Sequence, residues 1–347
     1  LTRIHLEEDT ARSQHVGESS LVDYNRAGVP LKELVTEPVI HSAEEAGTFA
    51  KELQLLMRTL GAGDANMEKG EMRVEANISV SKDGSLGTKV EVKNLNSFRS
   101  VERAIAYEIV RQSQLLDGGG AVVQETRGWD EQKQITFSQR KKESSHDYRY
   151  FPDPDLPSLR LGDMSIFRDF DMPELPWESR ERYQKLGLKP EDADMFIQDK
   201  KYGAFFDEVT AVLPHGDKRV ELSANYIAND LAGAGTTISV EHFKTLIEMI
   251  ADGTVSSRGG KDILALCAAT GDSPEKIAKE KGLLQQSDEG ALKEIVQKVV
   301  DTNPQVVADY KAGKGSALQF LIGQGMKESK GSANPQVLKE AIQKVLG

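Results

Sequence analysis

Apolar and polar positions alternate in short runs over the first 170 residues of the chain, and this alternation predicts β-strands. The runs cover residues 3–7, 31–35, 72–80, 89–93, 122–127 and 134–138. The turn signal Lys82-Asp83-Gly84 lies between two of them, so these two are expected to form a hairpin or two neighbouring strands with a longer loop. The pattern predicts a mixed sheet in this part of the protein.

Two stretches between these runs have helical periodicity instead. Residues 43–60 place an apolar side chain every three or four positions. Ser42 is expected to cap this helix, Glu45 to complete a capping box, and Gly61 to end the helix. Residues 99–116 predict a second helix, which the glycines at 118–120 would end.

The pattern changes near residue 152. Five prolines between positions 152 and 176 predict a stiff, extended connector, and short helices follow to the end of the chain. The last 65 residues read as three short helices, separated by Asn303-Pro304 and by a loop over residues 323–334. We therefore expect an α+β protein: a mixed-sheet region over residues 1–172, a helical domain over 173–280 and a small helical tail over 281–347.

The net charge of −11 over 347 residues argues against a protein coated with nucleic-acid-binding charge. The charge is uneven, however, because residues 281–347 hold nine lysines against seven acidic residues. Such an asymmetry indicates either a local contact with nucleic acid or an ordinary solvated helical surface.

The chain has one cysteine, Cys267, which excludes an internal disulfide and a cysteine-cluster metal site. A cytoplasmic location is expected from this cysteine usage. No apolar run is long enough to span a membrane, and no secretory signal is visible. The chain begins within a strand-like run, so we expect an N-terminal portion to precede it.

An imidazole and three carboxylates lie close together at the start of the chain, in His5-Leu6-Glu7-Glu8-Asp9. On a strand, His5, Glu7 and Asp9 would share one side, while Glu8 would point the other way unless the strand ends there. The group is rich in oxygen and suits Mg²⁺. The alternative is a polar strand end with solvated acids.

A second group spans the two strands around residues 72–93. If these strands are neighbours, Glu75 and Glu91 share a sheet face with the cations Arg73 and Lys93. Carboxylates could hold Mg²⁺ and cations could hold phosphate oxygens. A cross-strand ladder of salt bridges on a solvent face is the alternative.

Two further segments suggest contacts with nucleic acid. Residues 145–155 interleave aromatic side chains with His146 and Arg149, which could stack a base and grip a phosphate, or could form a strap over a core. In the tail, four lysines lie in or beside glycine-rich turns, and they are Lys311, Lys314, Lys327 and Lys330. These turns do not match a P-loop, so they indicate either phosphate contacts or ordinary helix connections.

Taken together, the segments resemble one known family, the B subunit of the aspartyl/glutamyl-tRNA(Asn/Gln) amidotransferase. The motifs that carry the resemblance are HLEEDTARSQH, SSLVDYNRAGVPLKELVTEPVI, MRVEANISV, TKVEVKNLNSF, SHDYRYFPDPDL and DYKAGKGSALQFLIGQGMKESKGSANP. The resemblance covers essentially the whole chain. It begins downstream of the family's usual start, so the family's N-terminal strand motif, with its histidine and glutamate, is not in this sequence.

The resemblance implies an ATP-dependent ligase that acts on Glu-tRNA(Gln), and in many bacteria on Asp-tRNA(Asn). The γ-phosphoryl group of ATP is transferred to the side-chain carboxylate of the attached amino acid, with Mg²⁺ as cofactor. Ammonia from a glutaminase partner, the A subunit of the complex, then displaces the phosphate, and a small C subunit completes the assembly. The implied fold is a catalytic cradle, a helical domain and a helical tail that contacts tRNA(Gln) or tRNA(Asn), with no membrane contact.

The motif matches also imply roles for individual residues. Glu8 is expected to bind the metal, with His5 and His146 as further site candidates. Glu75 and Glu91 would be acids of the same cradle, and Lys93 and Arg73 would face phosphate or substrate carboxylate. Asn94 and Asn96 would orient the acyl phosphate or receive the protons of ammonia. Arg12 stands where many relatives have lysine and keeps the charge.

Cys267 lies in an apolar helical run, which predicts a buried structural thiol and not a glutaminase nucleophile. Glutamine hydrolysis is therefore expected from a partner. Two alternatives from other functional classes stay open: a non-catalytic tRNA-binding module on a degenerate cradle, and a structural adaptor that holds a glutaminase.

Overall fold

A computed structural model describes residues 1–141, 154–155, 157–168, 171–214, 216–285, 289–329 and 333–346. The chain forms two compact units, Leu1–Pro173 and Glu174–Gly347. In the part of the chain that the structure describes, the first unit contains the strands and two long helices, and the second is helical. This confirms the predicted α+β class. The predicted division into residues 1–172, 173–280 and 281–347 stays a prediction.

The strands of the first unit form three separate sheets among the described residues. Their bounds are β1 Arg3–Glu8, β2 Arg12–Val16, β3 Ser19–Asp23, β4 Pro30–Val35, β5 Val74–Ile78, β6 Val90–Leu95, β7 Glu125–Asp130 and β8 Ile135–Lys141. β1 pairs antiparallel with β4, and β2 pairs antiparallel with β3. The remaining strands form a four-stranded sheet in the order β5-β6-β7-β8, in which β6 and β7 are parallel.

The β2–β3 hairpin is absent from the sequence-based prediction. All ten of its residues are exposed, so neither strand has a buried apolar face that would set up a recognisable alternation. Gly17, at the turn, has φ +59°, a left-handed conformation that glycine adopts without steric cost.

The described residues of the first unit form two α-helices, α1 over Ala43–Thr59 and α2 over Phe98–Asp117. The Ser42 side chain caps α1 by accepting from the Glu45 amide, as predicted. The Glu45 carboxylate accepts from the amide of His41 at 2.7 Å, one residue before the position that a capping box requires. Ser97 caps α2 in the same way, through the Ser100 amide.

The core of the first unit lies between α2 and the four-stranded sheet. Its buried members are Ala46, Ala76, Val90, Val92, Leu95, Val101, Ala104 and Trp129. Val90 and Val92 of β6 are 0% exposed. Because side chains alternate along a strand, Glu91 and Lys93 must face the opposite side of the sheet from this core.

The second unit consists of helices joined by short turns. The helices are α3 Pro176–Lys185, α4 Pro190–Gln198, α5 Lys200–Thr210, α6 Lys218–Tyr226, α7 Ala232–Ala234, α8 Val240–Ala251, α9 Ser257–Thr270, α10 Pro274–Glu280, α11 Glu289–Thr302, α12 Pro304–Lys311, α13 Gly315–Glu328 and α14 Pro335–Leu346. A π-helical turn over Ile227–Leu231 joins α6 to α7. Two 3₁₀ turns, Leu161–Asp163 and Ser165–Phe167, lie in the first unit. Within the described part of the chain, no helix is long and apolar enough to cross a membrane.

The prediction of three helices at the end of the chain is wrong, because four helices, α11 to α14, pack there around one apolar core. The first half of the predicted loop at residues 323–334 belongs to α13, which runs to Glu328. A Cβ at Gly325 would meet the Leu338 side chain of α14 at 2.5 Å. Gly325 therefore allows two helices to pack closely, and sequence reasoning mistook it for a loop signal.

Candidate functional site

The main polar cluster of the first unit is built by an irregularity between β5 and β6. Val74 pairs with Leu95 and Ala76 pairs with Val92, so Glu75 alone faces both Lys93 and Asn94. This is a β-bulge, with two residues opposite one. Asn94 has φ +65°, a left-handed conformation that asparagine tolerates better than most residues.

The bulge brings Lys93 between two carboxylates. Its Nζ lies 3.0 Å from both carboxylate oxygens of Glu75 and 3.7 Å from Oε1 of Glu91. Burial on its own would lower the pKa of Lys93, but hydrogen bonding and charge attraction from Glu75 and Glu91 raise it above 10.5. The lysine therefore stays charged between its two acids, and the predicted group of Glu75, Glu91 and Lys93 does share one sheet face.

Glu91 has a further partner that sequence reasoning did not find. The Thr126 hydroxyl of β7 donates to Glu91 Oε2 at 2.7 Å, and the two residues are register partners in the parallel pair β6–β7. The strand-like run at 122–127 was visible in the sequence, but its neighbour in the sheet was not. Parallel pairing joins distant segments, so no local signal reveals it.

The other predicted members of this group lie at its edges. Arg73 is exposed and immediately precedes β5, while Asn94 is exposed at the bulge. Asn96 is exposed between the end of β6 and the capping residue Ser97. The roles assigned to these three residues stay predictions.

A second cluster lies on the β1–β4 pair. His5 is the register partner of Glu33, and its Nδ1 lies 3.5 Å from Glu33 Oε2. Ligand atoms of His5, Glu7 and Glu33 all lie within 4.8 Å of one another. One imidazole and two carboxylates form a donor set that a divalent cation can use, with the carboxylates suited to Mg²⁺ and the imidazole more typical of transition metals.

This cluster differs from the predicted one in membership. Glu33 was not predicted, because it joins through strand pairing across 28 positions of sequence. Glu8 is exposed and follows Glu7 on the strand, so alternation places it on the opposite side from His5 and Glu7. Asp9 lies beside Arg26, 3.3 Å from its Nε. The metal-binding role of Glu8 stays a prediction, and the structure groups His5 with Glu7 and Glu33 instead.

Three of the four predicted tail lysines lie in the described part of the chain. Lys311 ends α12, Lys314 immediately precedes α13, and Lys327 lies in the last turn of α13. All three are exposed, and Lys314 Nζ lies 2.9 Å from Asp309. Lys330 lies outside the described residues, and so do His146, Arg149 and most of the aromatic segment around them.

Cys267 lies on α9 and is 2% exposed, as the sequence predicts. Burial, with a smaller contribution from Asp272, raises the pKa of Cys267 to about 11. A thiol that stays protonated and buried is a poor nucleophile.

Comparison with known proteins identifies both ends of the chain. A family model described as the GatB/GatE catalytic domain matches residues 1–166, and one described as a GatB domain matches residues 204–346. The chain is 43% identical to the B subunit of the aspartyl/glutamyl-tRNA(Asn/Gln) amidotransferase of Persephonella marina, over 99% of its own length and 75% of that protein. It is 44% identical to the protein of the same name from Thermomicrobium roseum, over 100% of its own length and 74% of that protein. The chain therefore belongs to the B-subunit family of the aspartyl/glutamyl-tRNA(Asn/Gln) amidotransferases.

Proposed function

We propose that this chain activates the carboxylate of a mischarged aminoacyl-tRNA by phosphorylation with ATP, so that ammonia can convert it to an amide. The substrates would be Glu-tRNA(Gln), Asp-tRNA(Asn) or both. The observation that supports this most is the cluster of Lys93 with Glu75 and Glu91, which sets a lysine of raised pKa among acids on an accessible sheet face.

The chemistry requires such a face. A carboxylate is a poor electrophile because its leaving group would be oxide, and a phosphoryl group converts that oxygen into a good leaving group. The transferring group spreads negative charge over its oxygens, so cations must lie beside it. Lys93 would supply this charge after exchanging part of its contact with Glu75 for a phosphate oxygen. Arg73, one position before β5, is a second candidate for the same task.

Mg²⁺ would be held by His5, Glu7 and Glu33, with Glu8 as the further ligand that the sequence suggests. When bound, this ion neutralises phosphate charge. Asn94 and Asn96 would orient the acyl phosphate or accept a hydrogen bond from ammonia, because their exposed amides flank the end of β6.

Ammonia would have to come from partner proteins. The chain's one cysteine is buried with a raised pKa, so it does not fit a glutaminase nucleophile. We propose that a glutaminase, as the A subunit, releases ammonia from glutamine and that a small C subunit completes the complex. The relatives are named as B subunits of an amidotransferase for tRNA(Asn) and tRNA(Gln), which supports an assembly of several chains.

The reconstituted complex tests this function. ATP labelled in the γ-phosphate should be consumed only when Mg²⁺ and a mischarged tRNA are present, and the amidated product should require glutamine or free ammonia. Comparing Glu-tRNA(Gln) with Asp-tRNA(Asn) establishes the substrate range. A complex that binds both tRNAs with normal affinity but consumes no ATP would instead support the non-catalytic tRNA-binding module.

We further propose that the exposed lysines Lys311, Lys314 and Lys327 contact the tRNA backbone. Each phosphate contact that is lost should reduce the slope of log affinity against log salt by about 0.7–0.9. A variant with these three lysines changed to glutamine should therefore bind tRNA more weakly and with a flatter salt dependence, while it still consumes ATP. Equal slopes for the variant and the wild-type complex would reject the contact.

A further inference from the structure

A buried polar network lies beneath the site, between α2 and β7–β8. Glu108 of α2 is 0% exposed, and its carboxylate accepts from Arg111 at 2.8 and 2.9 Å and from Gln112 at 3.0 Å. Arg127 of β7 lies 3.1 Å from the same carboxylate, and the Thr136 hydroxyl also donates to it. Burial on its own would raise the pKa of Glu108, but these hydrogen bonds lower it, so the group is a charged and fully paired carboxylate.

The network holds β7 in place on both sides of Thr126. Arg127 also contacts Glu125, and the guanidinium donates to the hydroxyl and the carbonyl oxygen of Thr136 on β8. Glu125 in turn accepts from the Ser138 hydroxyl. Glu125 and Arg127, the two neighbours of Thr126, are thus bound to groups outside the Glu75–Glu91–Lys93 cluster. Thr126 itself points to the other face of the strand, toward Glu91.

Thr126 and Lys93 contact different oxygens of the same carboxylate. The Thr126 hydroxyl donates to Oε2 of Glu91, and Lys93 Nζ lies 3.7 Å from Oε1. The Glu91 side chain is 16% exposed and Thr126 is 7% exposed, so water competes weakly for this hydrogen bond. A carboxylate held by one oxygen loses most of its rotational freedom, and this keeps its second oxygen directed at the lysine.

We propose that Thr126 is a positioning residue, which acts through Glu91 and fixes the orientation of the acid toward Lys93 and the transferring phosphoryl group. The buried network of Glu108, Arg127 and Glu125 gives β7 the rigidity that this task needs. The inference deepens the proposed function and rests on it, because the orientation of Glu91 matters only if the cluster acts on substrate.

The test compares Thr126→Val with Thr126→Ser in the reconstituted complex. Valine keeps the shape of threonine and removes the hydroxyl, whereas serine keeps the hydroxyl. A lost hydrogen bond to a charged group should lower kcat for ATP-dependent amidation roughly tenfold to a hundredfold in Thr126→Val. The KM for ATP and the affinity for tRNA should stay within about twofold, and Thr126→Ser should recover most of the rate.

A matched control separates this effect from loss of a buried hydroxyl in general. Thr210 on α5 of the second unit is 8% exposed, and its hydroxyl donates to the carbonyl of Phe206 at 2.8 Å. Thr210→Val should leave kcat unchanged. If Thr126→Val and Thr210→Val lower kcat equally, or if Thr126→Ser is as slow as Thr126→Val, the positioning role is rejected.

A double-mutant cycle tests whether Thr126 acts through Glu91. Because both changes would remove the same oriented carboxylate, adding Thr126→Val to Glu91→Gln should cause little further loss. Full additivity of the two losses would overturn the inference. The outcome also separates failure of the positioning role from failure of the proposed function. If Glu91→Gln amidates at the wild-type rate, the proposed site is rejected. If Glu91→Gln is slow but Thr126→Val has the wild-type rate, only the positioning role is rejected.

Discussion

The two polar clusters of the first unit differ in what supports them. The Glu75–Glu91–Lys93 cluster lies on a four-stranded sheet whose other face packs in the core of the unit, with Val90 and Val92 at 0% exposure. The His5–Glu7–Glu33 cluster lies on a pair of strands in which all six residues of β1 are exposed or half-buried. The first arrangement is fixed by packing before any ligand binds. In the described part of the chain no residue of β1 or β4 is buried, so the second arrangement depends more on what it binds.

The largest effect on stability is expected in the buried network of Glu108, which lies beneath the Glu75–Glu91–Lys93 cluster. Glu108→Gln removes the carboxylate that pairs with Arg111 and Arg127, and breaking a buried ion pair costs about 3–5 kcal/mol. Arg3→Gln, which removes a surface ion pair of 3.3 Å with Glu33 on the other cluster, should cost less than about 1 kcal/mol. Urea unfolding of both variants measures the difference, and equal losses would contradict the comparison.

The buried carboxylate of Glu108 also predicts how the free energy of unfolding depends on pH. Hydrogen bonds hold the pKa of Glu108 below its usual 4.5, so its contribution to stability is complete above pH 4.5 and is lost as pH falls through the lowered pKa. The gap in unfolding free energy between the wild type and Glu108→Gln should therefore be constant near neutral pH and shrink in acid. A gap that widens on acidification would assign the opposite sign to this carboxylate.

The next effect concerns catalysis. Loss of a preorganised cation beside a transferring phosphoryl group costs on the order of 10²–10³ in rate, and we expect this loss in ATP-dependent amidation by Lys93→Ala. Lys51→Ala is the matched control, because Lys51 also pairs with a glutamate at 3.0 Å, but on α1. Glutamine hydrolysis by the glutaminase partner should survive in both. Full amidation by Lys93→Ala would remove the lysine from the site.

A smaller effect is expected at the His5–Glu7–Glu33 cluster, because a higher Mg²⁺ concentration can refill a metal site whose affinity has been weakened. His5→Ala or Glu33→Gln should raise the Mg²⁺ concentration needed for half-maximal activity on the order of tenfold or more, with the rate recovered at high Mg²⁺. His15→Ala, on the exposed β2 strand, is the control and should not change the requirement. An unchanged Mg²⁺ requirement in both cluster variants would argue against a metal there.

The smallest effect is expected in β1, and it tests how strongly the strands that carry the two clusters are packed. Leu6 lies in β1 and is 81% exposed, so Leu6→Ala should change the unfolding free energy by no more than about 0.5 kcal/mol. Val92→Ala, in the strand β6 that carries Glu91 and Lys93, should lower the unfolding free energy by about 2 kcal/mol because it removes fully buried methyl groups. A large loss from Leu6→Ala would mean that β1 is packed against something in solution.

Local patterns in the sequence were sufficient for much of the fold. The helix with its cap at Ser42 and the strands around Glu75 and Lys93 follow from residues close together in the chain, since periodicity and capping are local properties. The alternation of β6 also places Glu91 and Lys93 on one face, opposite Val90 and Val92. The α+β class and the family resemblance could likewise be identified without coordinates.

Only the tertiary structure decided which distant residues meet. Glu33 joins His5 through antiparallel pairing, and Thr126 joins Glu91 through a parallel pairing between segments 35 residues apart. The bulge that sets Glu75 against Lys93 depends on the left-handed Asn94, whose conformation no periodicity indicates. Strand register is settled by packing and hydrogen bonding across the whole sheet, so a local pattern can predict a strand and its faces but not the neighbour that completes a site.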